Sequence, residues 1–196
     1  MNTKHYLNRC PWVNLSKPDY VAYHDREWGV PIHDDRKLFE FLTLESAQAG
    51  LSWYTILAKR ENYRIAFKNF DPEKIAKFGN KELNKLIANP GIIRNMAKIS
   101  ATINNAKRFL EVQNEFGSFD AYIWRFVDGK PIVNDIAEIE DYPDKTEISE
   151  KLSKDLKSRG FKFLGPTICY AHMQATGMVN DHSTDCFRKS EIIKMY

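Results

Sequence analysis

Two pairs of metal-ligating residue types lie near opposite ends of the chain. In the segment VNDHSTDCF, residues 179–187, His182 and Cys186 are separated by three residues, whereas Cys10 and His24 are separated by thirteen. Two Cys and two His form a common ligand set for structural zinc. The spacing differs from that of a zinc finger, because one pair lies near each terminus. A zinc ion bound by all four would hold the two ends of the chain together.

A second interpretation competes with the metal site. A His-x3-Cys pair arises often by chance, and a Cys is frequently just a small buried apolar residue. The chain has only three cysteines and five histidines, too few cysteines for a disulfide framework. Cys169 lies in an apolar helical segment, so we expect it in the core. His5, His33 and His172 have no comparable partner and are expected on the surface or hydrogen-bonded in the core.

A single acidic residue lies among aromatic residues in two other segments. Glu45 is on an otherwise apolar predicted helix, with Trp53 after a Gly-containing break, and Tyr20, Tyr23 and Trp28 crowd residues 19–31. A buried carboxylate is costly unless it is hydrogen-bonded or meets a cation, and aromatic faces attract flat cations. The pattern therefore suits a flat cationic ligand such as a positively charged purine. The alternative is ordinary: aromatic residues in the core, and Glu45 on the solvent face of its helix.

Two glycines frame a connection between predicted helices. Gly160 and Gly165 permit backbone conformations closed to other residues, and Pro166 opens the next helix. The N-terminus of that helix offers free N–H groups to an anion, so a phosphate group can bind there without base recognition. Lys162 adds positive charge. Two glycines are common in helix connections, so this pattern gains weight only from its basic flank and the following helix.

Helical periodicity dominates the rest of the chain and predicts an all-α fold. Strand signals are sparse, and residues 132–147 are expected to form a loop with at most a short extended piece. We divide the chain into an N-terminal segment 1–33, a helical body 34–177 and a C-terminal segment 178–196. Asp34 and Asp35 can cap a helix that stops at Gly50, and Ser52 can cap the next. The predicted helices cover residues 35–50, 52–67, 72 onward, 92–116, 119–127, 148–156 and 166 onward.

Composition sets the broad class of the protein. The chain has 196 residues, of which 43% are hydrophobic and 13% aromatic, enough for a sizeable core. A net charge of +3 permits a polyanionic partner without requiring one. No secretory signal is visible, and no stretch approaches the roughly 20 apolar residues of a membrane span. We therefore expect a soluble cytoplasmic protein without a membrane partner.

Several longer motifs together give a resemblance that covers nearly the whole chain. In this order and at this length, they closely resemble the bacterial DNA-3-methyladenine glycosylases of type I, in the helix-hairpin-helix superfamily. The motifs are CPWVN at 10–14, YHDREWGVP at 23–31, LESAQAGLSW at 44–53, KRENYR at 59–64, FDPEKIA at 70–76, PGIIRN at 90–95, RGFKFLGPTICY at 159–170, and VNDH at 179–182 followed by Cys186.

The resemblance implies a role for each candidate residue. It implies one structural zinc ion on Cys10, His24, His182 and Cys186. Glu45 would hydrogen-bond the methylated adenine, while Leu51 would fill the gap left in the duplex, although an ordinary core Leu is the alternative. The remaining implied residues are the base-stacking Trp53 and Tyr23 with Trp28 and Tyr20 close by, and the DNA-contacting Gly160, Lys162, Gly165 and Thr167.

The resemblance also implies a reaction. The partner would be double-stranded DNA containing alkylated bases, the product free 3-methyladenine, and the protein a monomer. Many relatives use an Asp after the hairpin helix, where this chain has Asn180, an amide that is no general base. Asp181 is adjacent, but it belongs to the segment that supplies the implied zinc ligands His182 and Cys186. Base flipping, stacking and Glu45, the one candidate catalytic residue, would then select the base, with water as nucleophile.

Two other functions compete with base release. The first is a zinc-stabilised helical module that binds DNA and performs no chemistry, which predicts DNA affinity without release of a free base. The second is a zinc hydrolase, which would need an open coordination position that four Cys and His ligands do not leave.

Overall fold

The computed structural model describes residues 7–196, so His5 lies outside the described residues. This part of the chain is mostly helical, which confirms the all-α prediction. No helix within it is both long and apolar enough to cross a membrane. The α-helices are α1 Pro18–Arg26, α2 Asp35–Gln48, α3 Trp53–Leu57, α4 Arg60–Ala66, α5 Pro72–Ile75, α6 Asn80–Ala88, α7 Met96–Phe116, α8 Phe119–Trp124, α9 Glu147–Ser158, α10 Pro166–Ala175 and α11 Phe187–Ile193.

Short additional elements complete the described chain. Three 3-10 helices cover Lys68–Phe70, Arg125–Val127 and Ile139–Asp141. Two two-residue strands, β1 (Ile132–Val133) and β2 (Val179–Asn180), pair in parallel. The predicted short extended piece in the loop 132–147 is therefore confirmed, and its partner is the segment that leads to His182.

Local sequence signals set most of the helix starts. Asp34 caps α2 by accepting from the Lys37 N–H, and Ser52 caps α3 by accepting from the Thr55 N–H. Prolines occupy the first position of α5 and α10. These starts agree with the sequence analysis because a cap or a proline acts on its own backbone neighbours.

The predicted helix over residues 52–67 is wrong in one respect, since the structure divides it into α3 and α4. After the break, Arg60 donates from Nε to Glu40 Oε1 at 2.7 Å and from a terminal nitrogen to Glu27 Oε2 at 2.7 Å. Arg64 also reaches Glu40, at 3.0 Å. The KRENYR motif thus holds α4 against the nearly buried Glu40 of α2.

The hydrophobic core surrounds α2 and α7. The rings of Phe109 and Phe119 stack at 4.2 Å between centroids, and Cys169 is buried there as predicted. His172 is also buried, but neither ring nitrogen has a hydrogen-bond partner in residues 7–196, contrary to the expectation of a hydrogen-bonded core histidine. Its burial lowers its pKa to about 3.

A second cluster of buried side chains joins the two ends of the chain. It contains Cys10, Tyr23, Trp28, Phe41 and Cys186. After α10 the chain passes close to residues 29–31, where Gly177 adopts a φ of +72° and a Cβ would lie 2.4 Å from a backbone nitrogen. The close approach requires glycine and brings the C-terminal segment beside α1.

Candidate active site and metal centre

One cavity of about 400 Å³ gathers all five predicted base-binding residues, Tyr20, Tyr23, Trp28, Glu45 and Trp53. Helices α1 and α2 and the start of α3 supply four of them, and Trp28 follows α1. A cavity of this size accommodates a small planar molecule such as a nucleobase. The other lining residues are Trp12, Gln48, Ile139, Tyr142, Pro143, Asp144, Thr167, Tyr170, Ala171 and Gln174.

Glu45 lies inside this cavity and away from bulk solvent. Glu45 is only 3% exposed, which excludes the alternative that it lies on the solvent face of its helix. Its Oε2 has no hydrogen-bond partner in the described chain, and burial raises the pKa of its carboxyl to about 8. Entry of a cation or a hydrogen-bonding ligand beside such a carboxyl lowers the free energy, because the ligand supplies the partner that the carboxyl lacks.

Aromatic rings form the walls around Glu45. The Tyr23 and Trp53 rings lie 5.3 Å apart between centroids and are inclined by 45°. The Trp12 ring packs edge-on against the Trp28 ring, with 4.8 Å between centroids. Its centroid lies 5.3 Å from that of the Tyr20 ring, and these two planes are inclined by 48°. The walls therefore present several ring faces and edges to a ligand.

One further buried polar atom on a residue that lines the cavity, Trp53 Nε1, lacks a partner among residues 7–196. Together with Glu45 Oε2 it makes two buried polar atoms without partners on the residues that line the cavity. Such groups are rarely left unpaired in folded proteins, so their coincidence in one cavity indicates a binding site.

Sequence reasoning missed several lining residues. Trp12 lies in the same N-terminal motif as Cys10, and Gln48 follows Glu45 by one helical turn, so local spacing could have indicated both. Tyr142, Tyr170 and Gln174 come from distant segments, and no local signal links them to Glu45. Thr167, predicted as a DNA contact, also lines the cavity.

Neither polar residue of the Asn180–Asp181 pair lines the cavity. Asn180 is buried, donates from Nδ2 to the Lys189 carbonyl and accepts from the His182 N–H. The Asp181 carboxylate is also buried and accepts from Tyr170, Gln174 and Asn134. Both side chains therefore serve the packing of the C-terminal segment, and neither touches the cavity as a base would.

The four predicted metal ligands converge at a different point. The nearest donor atoms of Cys10, His24, His182 and Cys186 all lie within 4.8 Å of one another, and all four residues are buried. His182 Nδ1 is 3.3 Å from Cys10 Sγ and 3.4 Å from Cys186 Sγ. Zn–S bonds of about 2.3 Å and Zn–N bonds of about 2.05 Å at a tetrahedral angle give separations of about 3.6 Å. The cluster therefore fits a tetrahedral metal ion.

Outer contacts orient both histidines of the cluster. His24 Nδ1 is 2.8 Å from Asp25 Oδ1, and His182 Nε2 is 3.0 Å from the Trp28 carbonyl oxygen. Each outer oxygen accepts from one ring nitrogen, which leaves the other nitrogen unprotonated towards the cluster. Hydrogen bonding, from Cys186 above all and also from His182 and His24, lowers the pKa of the Cys10 thiol. These are the features of a metal centre.

Four of the five predicted DNA-contact residues lie on two exposed turns, and the fifth, Thr167, is the second residue of α10. Leu51 is 40% exposed after Gly50, which has a φ of +77°, so the core-leucine alternative is excluded. The connection between α9 and α10 contains Gly160, with a φ of +85°, exposed Lys162 and exposed Gly165. This segment, which we call the hairpin, is the short connection between α9 and α10.

Helix α7 holds that hairpin through two asparagines that sequence reasoning missed. Asn105 accepts from the Lys162 N–H at 2.8 Å and donates to the Lys162 carbonyl at 2.9 Å. Asn104 donates to the Gly160 carbonyl at 2.8 Å. These bonds fix the hairpin backbone relative to the body of the protein.

Comparisons with known proteins show which proteins share this sequence. The family model described as methyladenine glycosylase matches residues 12–189. A DNA-3-methyladenine glycosylase of Haemophilus influenzae is 51% identical over 178 residues, covering 91% of this chain and 96% of that protein. DNA-3-methyladenine glycosylase 1 of Escherichia coli is 48% identical over 180 residues, covering 92% and 96%.

Solved structures show the same fold. A crystal structure of a 3-methyladenine DNA glycosylase I has a TM-score of 0.89 and 52% identity, covering 92% of this chain and 98% of that one. The Staphylococcus aureus enzyme, solved to explain 3-methyladenine recognition, has a TM-score of 0.89 and 39% identity, with 93% and 97% covered. The fold and the sequence are those of a glycosylase, a class of hydrolase. The chain belongs to the methyladenine glycosylase family.

Proposed function

We propose that the protein releases 3-methyladenine from alkylated double-stranded DNA, and that the extruded base binds in the cavity beside Glu45. The observation that carries the proposal is the buried, unpartnered carboxyl of Glu45 among aromatic rings. Methylation at N3 makes adenine cationic. The alkylated base therefore brings a positive charge that stabilises the ionised form of this carboxyl. Neutral adenine does not offset the cost of ionising a buried carboxyl, and it binds poorly for that reason.

The reaction needs little acid catalysis because the leaving base is already charged. The C1′–N9 bond breaks, its electron pair goes to the base and neutralises the positive charge, and a water oxygen bonds to C1′ and loses a proton to solvent. Glu45 and the aromatic walls hold the base in the flipped position. Leu51 inserts into the duplex at the vacated position, and the hairpin at Gly160 and Gly165 binds backbone phosphate.

The metal centre has a structural role in this proposal. Cys10, His24, His182 and Cys186 would hold one zinc ion, which links the two ends of the chain and leaves no open coordination position. Trp28 lies between the two sites, because its ring lines the cavity and its carbonyl contacts His182. One cavity serves one lesion, so we infer that the protein acts as a monomer.

Glu45→Gln tests the role of the carboxyl. The amide keeps the shape but removes the negative charge, so we expect the rate of 3-methyladenine release from methylated DNA to fall about 100-fold. Released bases are quantified by chromatography, and 7-methylguanine is measured in the same samples. Glu111→Gln, at an exposed position on α7, is the matched control and should release base at the wild-type rate.

The same assay separates the proposal from its rivals. A DNA-binding module would bind methylated DNA and release no base in the wild type. A rate unchanged by Glu45→Gln would refute selection by the carboxyl while leaving the glycosylase activity in place.

A further inference from the structure

Gln174 lines the cavity, and its amide is held in one orientation. The residue lies on α10, and its Nε2 donates to Asp181 Oδ2 at 2.8 Å. Asp181 is fully buried and Gln174 is half-buried, so the carboxylate end of this bond is shielded from water. Because one N–H of Nε2 is bonded to Asp181, the NH2 side of the amide faces Asp181, and Oε1 is the acceptor that remains for a ligand in the cavity.

The surroundings of Asp181 prevent the amide from turning over. The Tyr170 hydroxyl donates to Asp181 Oδ2 at 2.7 Å, and Asn134 Nδ2 donates to Oδ1 at 2.7 Å. Both oxygens of Asp181 accept hydrogen bonds from these neighbours, so a flipped Gln174 would place Oε1 against an accepting oxygen and lose its bond. The network therefore fixes Gln174 Oε1 as a hydrogen-bond acceptor at the cavity wall.

An acceptor at this wall distinguishes the two purines. The only hydrogen-bond donor on the edges of adenine in DNA is its 6-amino group, whereas guanine carries a carbonyl oxygen at the same position. We infer that Gln174, held by Asp181, is a specificity-determining residue that accepts a hydrogen bond from the 6-amino group of the flipped adenine and disfavours guanine. This inference rests on the proposed function, in which the alkylated base occupies the cavity.

Gln174 supplies a discrimination that Glu45 does not. A carboxylate selects a cationic base over a neutral one, but 3-methyladenine and 3-methylguanine in DNA are both cationic. A neutral acceptor fixed in position separates them by the group at carbon 6. Asp181 acts through Gln174 and is thus a positioning residue.

Gln174→Met tests the inference, because methionine keeps the length of the side chain and has no amide. The ratio of 3-methyladenine to 3-methylguanine released from the same methylated DNA should fall about tenfold, the effect of one lost hydrogen bond. Gln113→Met is the matched control. Gln113, on α7, also donates its Nε2 to a carboxylate, that of Asp35 at 2.6 Å, but it lies outside the cavity lining, so the ratio should not change.

Asp181→Asn tests the positioning role with Gln174 intact. The new amide can donate to Gln174 Oε1, which allows Gln174 to turn its NH2 group towards the base, so the ratio should again fall. Loss of stability alone would reduce release of both bases equally. Thermal unfolding and bound metal are measured in parallel because His182 is the next residue.

A measurement on the wild type does not depend on how the variants fold. Free 3-methyladenine should compete with the flipped base of methylated DNA for the cavity. It should do so at least tenfold better than 3-methylhypoxanthine, which has a 6-carbonyl group. Equal competition, or an unchanged release ratio in folded Gln174→Met, overturns the inference. Absence of 3-methyladenine release by the wild type would instead overturn the proposed function.

Discussion

Glu45 shows how a single residue can be costly to the fold and useful to the site. A free carboxyl in water ionises readily, whereas burial raises the pKa of Glu45 to about 8 and leaves one oxygen without a partner in residues 7–196. The folded protein therefore binds a proton at Glu45 that the unfolded chain has released at neutral pH. The same cost of ionising a buried carboxyl favours entry of a cationic base, because the cation stabilises the carboxylate.

The raised pKa predicts a pH dependence of stability. Since the folded pKa lies above the unfolded value, the contribution of Glu45 is fully present below about pH 4.5 and is lost as the pH rises to about 8. The free energy of unfolding should fall by up to about 1.4 kcal/mol per pH unit in this window because of Glu45. Urea unfolding between pH 5 and 8.5 measures it. Glu45→Gln should lack this pH dependence of the free energy of unfolding, and Glu111→Gln should keep it. If the free energy changed equally with pH in the wild type and both variants, the raised pKa would be contradicted.

At the scale of the elements, the end of α2 connects the cavity to the exposed turn with Leu51. Lys98 of α7 donates from Nζ to the Ala47 carbonyl at 2.9 Å and to the Ala49 carbonyl at 2.6 Å. These are carbonyls that the helix leaves unpaired at its C-terminal end, where a positive charge is also favourable. One lysine thus fixes the helix that carries Glu45 and the turn that follows it.

Lys98→Met should loosen that turn without altering the cavity walls. We expect the free energy of unfolding to fall by about 1–2 kcal/mol, because two hydrogen bonds to the helix end are lost. Release of base from DNA should slow more than the affinity for free 3-methyladenine weakens. Lys107→Met, an exposed position on the same helix, is the control. Parallel losses in the rate of base release and in free-base affinity would argue against a specific effect on the Leu51 turn.

At the scale of the whole molecule, the cluster of Cys10, His24, His182 and Cys186 closes the chain on itself. Two of its residues lie in the first 24 positions and two in the last 15. Backbone contact adds to the closure, since the Phe187 N–H donates to the Asn8 carbonyl. Because Trp28 contacts His182 and also lines the cavity, order at the termini and order at the site depend on each other.

Removal of the metal should therefore destabilise the fold. Chelation, or Cys186→Ser, should lower the midpoint of thermal unfolding by about 10 °C or more and abolish stoichiometric zinc binding. Cys169→Ser changes a buried cysteine outside the cluster and should retain one zinc ion per chain. A metal-free protein with the wild-type melting temperature and no activity would instead assign the metal to chemistry.

The sequence by itself determined the helical class, the caps at Asp34 and Ser52, the proline-opened helices and the identity of the chemical groups. These depend on interactions within a few residues, or on motifs long enough to indicate the family. The break between α3 and α4 was missed because helical spacing continues across residues 58–59, while Arg60 and Arg64 contact Glu40 on a different helix.

Only the tertiary structure decided which groups meet and which of them lose contact with water. Burial of Glu45 and closure of the Cys and His cluster each join segments that are distant in sequence. The orientation of Gln174 by Asp181 needs the turn between α10 and the C-terminal segment to bring the two side chains together. Residue types state which hydrogen bonds and charges are available. The packing of α1, α2, α10 and the C-terminal segment decides which of those groups are desolvated, and desolvation gives a carboxyl or an amide its selectivity.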